Sequence, residues 1–328
     1  MLFVLSSLLP VMVLIAIGFW AGWRDWVTQE GSKGISQLTF MVLAPALLFR
    51  TMSQVHVDQL DVEPLAMYFV GAIGLFAVLF LSLGWNRRAT VLALAATFSN
   101  TVMLGIPLIG LMYGPPGLVY LFTLISLHAL ILLTLATVVL ELVLAREEAS
   151  SGHADSAKRH PLMTIFIAVR NAVFHPVPLP ILLGLAFGQL GWIMPQALDK
   201  PLQWMGNAFG PLALLLVGIT LAGVVQGVRQ SWAGQSRSHA MRPFGVATSL
   251  ALLKNVGHPL LVLGLGWIFG VTGLALAVMV SAASMPIGAN VFLFSQRYAV
   301  GQEEVPTAVA VSTLLAMVTV PWVLSWVH

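Results

Sequence analysis

Uncharged apolar stretches of about 20 residues recur along the whole chain, and that length is what a bilayer core demands of a spanning helix. The first, from Leu2 to Trp23, carries no charged residue. Ten such segments can be traced, at 2–23, 34–54, 64–84, 89–112, 117–144, 173–193, 201–225, 243–269, 273–296 and 304–327. Only 8% of residues are charged, against about 25% in a soluble domain. The expected class is therefore an all-α polytopic membrane protein. The first segment lacks a basic leader and a short apolar core, so it reads as a retained helix rather than a secretory signal. "YGPPG" separates segments four and five, and Gly270 to Gly273 separates eight and nine, by turn chemistry alone.

Positive charge orients the bundle. Arg24, Lys33, Arg87, Arg88, Arg146, Lys158, Arg159, Arg170, Arg229, Arg237, Arg242 and Arg297 all fall in odd-numbered loops. The even-numbered loops hold only Lys200, and Arg50 and Lys254 lie inside spans. This alternation predicts ten spans with both termini on the periplasmic or extracellular side. A net charge of +3, so dispersed, gives no reason to expect a nucleic-acid partner. With no cysteine present, disulfides, thiolate nucleophiles and cysteine metal sites are excluded. The Trp and Met residues read as interface anchors and packing, and no cofactor or metal is implied.

The hydrophilic stretch "REEASSGHADSAKRHP" (146–161) divides the chain. Residues 1–145 form a first five-span unit, 146–172 a cytoplasmic linker with an interfacial helix as a candidate near 162–172, and 173–328 a second unit. Five spans are an odd number, so the second unit must enter from the opposite face, as in inverted-repeat transporters. The halves share faint similarity. "LAPALLF" matches "FGPLALLL", and "NTVMLGIP" matches "SAASMPIGAN".

Unusual residues converge on one depth. At 1.5 Å per residue, Asn100, His128 and Lys254 each lie about 16 Å from their entry face, Pro45 and Pro211 about 15 Å, and Pro286 about 20 Å. Pro45 and Pro211 are expected to kink their helices, and Gly71, Gly74, Gly184 and Gly188 to let helices pack closely. Arg50 sits near the outer end of its span, where it can snorkel or attract an anion. His128 reads as a hydrogen-bonded core histidine. Lys254 costs at least about 2.5 kcal/mol at the bilayer centre. No acid lies mid-span, so Lys254 needs carbonyls, an anionic ligand or neutralisation. His258 follows one turn later on the same face.

Pro107 and Gly105 predict an unwound stretch at "MLGIP", and Pro286 and Gly288 predict another at "SMPIGAN". Non-helical backbone at this depth requires a protein-enclosed or hydrated cavity. Each break exposes a half-helix amino terminus suited to an anion, with Asn100 and Asn290 as neutral donors beside the two breaks. Paired interrupted helices in opposite halves are the best sequence pointer to a transport site.

"LLPVMVLIAIGFWAGWRDWVTQEGSKGISQLTFMVLAPALLFRTMS", "FSNTVMLGIPL", "FGPLALLLVGITLAG", "LLKNVGHPLLVL" and "AASMPIGANVFLFSQRYAV" together resemble the auxin efflux carrier family in its short prokaryotic form. The resemblance runs in order through nearly the whole chain. It implies a fold similar to bile-acid/sodium symporters, in which two broken helices, here spans four and nine, cross inside a transport domain beside a scaffold. It further implies that Asn100, Thr101, Gly105, Pro107, Pro286, Gly288 and Asn290 shape a carboxylate site, with Lys254 as the charge at the crossover. Ser99, His128, Ser284 and His258 are further candidates. The expected function is secondary transport of a small mono- or dicarboxylate, such as malonate, malate or an auxin-like acid, across the bacterial inner membrane by an elevator motion. Expected partners are that carboxylate, the lipid bilayer, H+ or Na+ as candidate coupling ions, and a second copy as a candidate homodimer. The rival readings are a cation-coupled symporter or antiporter, with sodium held by carbonyls and hydroxyls (Ser99, Thr101, Ser281, Ser284), and a membrane-embedded enzyme, for which no motif assembles a nucleophile and base.

Overall fold

The computed structural model describes residues 2–56, 61–151, 170, 176–233 and 237–327, and every regular element among them is helical. In chain order these are α1 (Leu2–Trp23), α2 (Gln29–Met52), α3 (Glu63–Leu83), α4 (Arg87–Thr97), α5 (101–113), α6 (115–151), α7 (Pro178–Gln189), α8 (Gln196–Ala233), α9 (237–269), α10 (Gly273–Ser284), α11 (Asn290–Arg297) and α12 (Glu304–Leu324). Each of the ten apolar stretches overlaps one of these helices or a broken pair. Six described helices are long and apolar enough to cross a membrane. Part of the difference has a physical cause, and α7 is short, with 12 residues. The breaks cut α4 from α5 and α10 from α11 into pieces shorter than a bilayer. The stretch from Thr101 to Glu147 counts once although the chain reverses within it at Gly114. The proposed interfacial helix at 162–172 lies outside the described residues, apart from Arg170.

Local chemistry sets the ends. The Asn86 side chain accepts the Ala89 N–H at 2.8 Å and starts α4; Thr28 caps α2 through the Gly31 N–H. Gly114, with φ of 61°, turns the chain ahead of Pro115 and Pro116, and Gly270, with φ of 74°, closes α9. Both turns fall where the sequence places them.

Among the described residues, three π-helical turns were not legible. They span Thr39–Leu43, Thr101–Gly105 and Leu253–Gly257, and each ends two residues before a proline: Pro45, Pro107 and Pro259. A proline ring clashes with the carbonyl four residues back. The wider π turn moves that carbonyl aside and passes its neighbours' hydrogen bonds to i→i−5 partners, as in Gly105 N–H to Asn100 O at 3.2 Å. Pro211, by contrast, lies within continuous α8.

Packing divides the helices into two groups. In the first, α1 lies on α8, and α2 on α7 and α8. Their backbones touch through glycine. A Cβ at Gly18 would overlap the Leu215 carbonyl, one at Gly22 would lie 3.0 Å from Ile219 Cα, and one at Gly184 would lie 2.6 Å from Phe49 O. Gly74, expected to serve the same end, has open space around it. Arg50 does more than snorkel: its Nε and Nη2 meet the two Asp199 oxygens at 2.7 and 3.0 Å, tying α2 to the first turn of α8. The second group joins α3, α4, α9, α10 and α12, with the stretch 106–151 of α5 and α6 against α10. Arg88 binds Glu304 at 2.8 Å and Arg87 binds Glu147 at 3.0 Å. Each of these three ion pairs joins segment ends that the basic-residue pattern assigns to one face.

Between the groups runs an apolar seam. Val11, Ile15, Leu214 and Val217 from α1 and α8 meet Leu104, Leu108, Met285, Ala316 and Val320. A small pocket of about 30 Å³ lies in it, lined by Ile15, Leu104, Leu108 and Met317 among others.

The glycine contacts make a direct prediction. Gly18→Ala forces α1 off α8 and costs about 1–3 kcal/mol, as overpacking does. Gly74→Ala stays within about 0.5 kcal/mol. Thermal unfolding of the purified protein in detergent, followed by tryptophan fluorescence, measures both; equal shifts would mean the two helices can part freely.

Candidate functional site

Two interrupted helices cross at the centre of the second group. After Thr97 the chain leaves the helix, with Phe98 extended (φ −84°, ψ 111°), and re-enters it at Thr101. After Ser284 it is non-helical from Met285 to Ala289, and α11 begins at Asn290. The second break sits at "SMPIGAN" as expected. The first does not sit at "MLGIP". It lies upstream at Phe98–Asn100, because the π turn absorbs Pro107 inside a continuing helix. Gly105 and Pro107 therefore belong to α5 proper. A Cβ at Gly105 would find only ordinary contacts, the nearest at 3.6 Å, and Pro107 stands beside Gly210 of α8.

The two breaks bond to each other. Asn100 N–H donates to Pro286 O at 2.8 Å, and Gly288 N–H donates to Phe98 O at 2.9 Å, forming an antiparallel bridge between Ser99 and Ile287. Glycine is required at 288, since a Cβ there would lie 2.7 Å from the Phe98 ring and 3.2 Å from Ser99 O. Ile287 N–H is held by Ser312 Oγ of α12 at 3.2 Å. Asn255 Nδ2 in turn binds the Ser312 carbonyl at 2.7 Å.

Lys254 is wholly buried and finds carbonyls. Its Nζ donates to Ala283 O at 2.6 Å and Met285 O at 2.8 Å. These carbonyls end α10, where helical acceptors are orphaned and the dipole is negative. The ammonium thus caps a half-helix and holds the second break in place.

Other candidates separate by role. The Asn100 Oδ1 accepts the Met103 N–H at 3.3 Å, which makes Asn100 the cap of α5 and leaves its amide nitrogen to point elsewhere. Thr101 is buried in the first turn of α5. Asn100 and Asn290 are both half-buried. The half-helix amino termini were expected to offer free N–H groups, and they do so less than expected. Thr101 N–H binds Ser99 O, while Val291 and Phe292 N–H bind Gly288 and Ala289 carbonyls. What the crossing offers is then the partial positive charge of two helix starts, at which Asn100 and Asn290 stand. Ser284 Oγ turns back to the Ser281 carbonyl at 2.7 Å. His128 and His258 both lie against Tyr68, with ring centroids 5.9 and 5.5 Å away. The Tyr68 hydroxyl stands 3.3 Å from both Ser99 Oγ and His128 Nε2. Sequence reasoning passed over Tyr68. Its signal was available, as one of only four tyrosines, set within the early turns of an apolar span with a polar tip that needs a partner.

Substitution at the closest approach tests the crossing. Gly288→Ala pushes the Phe98 ring and the two breaks apart and costs about 1–3 kcal/mol. Gly105→Ala, in helical backbone with room for a methyl, is neutral to stabilising by up to about 1 kcal/mol. Unfolding temperatures of the two variants check this; a destabilised Gly105→Ala beside an unaffected Gly288→Ala would place the tight contact at the wrong break.

The chain matches the membrane transport protein family over residues 3–324. A Rhizobium meliloti protein provisionally named a malonate transporter is 25% identical over 325 residues, covering 95% of this chain and 92% of that one. The uncharacterized Escherichia coli transporter YfdV is 23% identical, covering 98% and 97%. Auxin efflux carrier component 8 of Arabidopsis thaliana is 22% identical, covering 96% and 95%. A match over almost the full length, around a crossing of two broken helices, places this chain in the auxin efflux carrier family of membrane transport proteins.

Proposed function

We propose that the protein is a secondary active transporter of a small organic anion, a mono- or dicarboxylate of the malonate class, bound where α5 and α11 begin. The observation that carries this reading is the bonded crossing itself. It joins the two breaks just ahead of the amino termini of α5 and α11, where Asn100 and Asn290 are half-buried, and such termini suit a carboxylate. The relative named for malonate transport supports the substrate class. Thr101, Pro286 and Gly288 shape this site through the backbone, and Lys254 adds positive charge from behind the second break. Gly105 and Pro107 contribute only by forming the start of α5.

The protein works as ten spans in two inverted repeats of five, in the bacterial inner membrane with both termini outside. An exchange of packing partners supports this: span one lies on span seven and span six on span two, each through close glycine contacts. The first group of helices is the scaffold and the second the moving body of an elevator. The polar contacts described above fall within one body or the other, and the seam between them is apolar, so sliding breaks few directional bonds. A cleft of about 860 Å³ opens between the bodies on the face carrying the basic loops, lined by Lys33, Gln226, Phe292 and Glu303 among others. Phe292 lies two residues beyond Asn290, which supports reading this cleft as the approach to the site from the basic face.

Uptake of radiolabelled malonate into proteoliposomes tests the site. Asn290→Ala lowers uptake about tenfold or more, the equivalent of one charge-assisted contact near 1.4 kcal/mol, with no change in unfolding temperature. Asn100→Ala lowers it similarly and also loses a helix cap worth about 0.5–2 kcal/mol. Normal uptake in both variants would remove the amides from the site.

A further inference from the structure

The two half-helices that end at the crossing are finished differently. The last carbonyls of α10 hold the Lys254 ammonium. The end of α4 carries no such fixed charge. Beside it lie Ser99 and the His128 ring, 4.6 Å from that of Phe98, and Tyr68 links these to His258, 5.5 Å from its ring. Both histidines are buried, His128 2% and His258 0% exposed. Neither ring nitrogen of His258 has a hydrogen-bond partner among the described residues. A buried polar group left without a partner costs about 1–3 kcal/mol, so an imidazole in that state calls for a function.

We propose that His128 and His258, gathered around Tyr68 at the carboxyl end of α4, form a proton-binding site whose occupancy is tied to anion binding at the crossing. The negative end of a helix dipole favours a cation there, and at the equivalent end of α10 the Lys254 Nζ donates to the last carbonyls. A sodium ion prefers a shell of oxygens, whereas imidazole nitrogens accept a proton directly. The surrounding ionisable groups are Tyr68 on α3, Tyr113 on α5, and Lys254 on α9. Ser99 and Ser281 add hydroxyls, and no Asp or Glu is buried among the described residues. Lys254, one turn from His258, repels a second positive charge; a carboxylate at the crossing offsets that repulsion. Proton and anion therefore favour each other's binding, and by linkage the effect is reciprocal. The proton taken up stays on an imidazole nitrogen until the anion leaves. The Tyr68 hydroxyl, between Ser99 and His128, couples the site to the first break.

This inference rests on the anion-transport reading, and the test separates the two. Malonate affinity, measured by calorimetry on purified protein, tightens about tenfold or more from pH 8.0 to 6.0, as uptake of a linked proton allows. In the variant carrying both His128→Gln and His258→Gln, the dependence shrinks to that of malonate's own titration, which both proteins share. Tyr68→Phe, which keeps the ring packing, shrinks it in part and serves if the double variant does not fold. Ring signals of isotope-labelled histidine, assigned by their loss in each single variant, give a readout independent of transport. At least one of the two moves to imidazolium positions on acidification with malonate present. Equal affinity at both pH values in the wild type overturns the coupling and leaves the anion site standing. If malonate binds at neither pH, the carboxylate reading fails; a titrating ring without ligand then upholds the proton site, and two rings neutral from pH 8 to 5 overturn it.

Discussion

Two backbone hydrogen bonds, Asn100 N–H to Pro286 O and Gly288 N–H to Phe98 O, make the centre of this protein possible. A chain that leaves the helix inside a bilayer exposes donors and acceptors that lipid cannot satisfy. Here each break answers the other. Other groups at the breaks are met by side chains: the Met103 N–H by Asn100, the Ile287 N–H by Ser312, and the carbonyls of Ala283 and Met285 by Lys254. The crossing is thus a closed polar unit, and the close approach it needs is set by the missing side chain at Gly288.

Because that unit is satisfied from within its own group of helices, it asks little of the other group. Lys254, Asn255 and Ser312 brace the crossing from α9 and α12 on one side, and Tyr68 braces it from α3 on the other. Against α1 and α8 it presents Leu104, Leu108 and Met285. An apolar seam has no directional bonds to break, so its free energy changes little with register. The first group is locked differently, by glycines that bring α1 onto α8 and by the bidentate pair of Arg50 and Asp199. Rigidity within each body and smoothness between them are two consequences of placing polar satisfaction locally.

Much of this was legible in the sequence, and the exceptions have a common cause. Hydropathy located the helices, and Gly114 and Gly270 turn the chain where their glycines and prolines indicate. "SMPIGAN" is non-helical where it reads as such. "MLGIP" is helical, because a proline removes one hydrogen bond and a single π turn can absorb that loss. What fixes the first break at Phe98–Asn100 is the partner segment around Ile287, nearly 190 residues away in the chain, and no local pattern carries that information. Lys254 was plainly in need of acceptors, yet only the fold shows that they are the last carbonyls of α10. Tyr68 gains its meaning from Ser99, His128 and His258, which four different stretches of chain bring together.

The charge arrangement at the crossing follows from the same geometry. A helix end carries roughly half an elementary charge, so the ammonium of Lys254 more than offsets the carboxyl end of α10 and leaves a positive remainder. The amino ends of α5 and α11 add to it, while the carboxyl end of α4 subtracts. A monoanion brings such a site near neutrality. A dianion overshoots, and at this depth an uncompensated charge is costly. A second positive charge held by imidazole at the end of α4 would restore the balance only while the dianion is present. If the proposed proton site is right, the charge of the anion, rather than its shape, decides whether a proton binds with it.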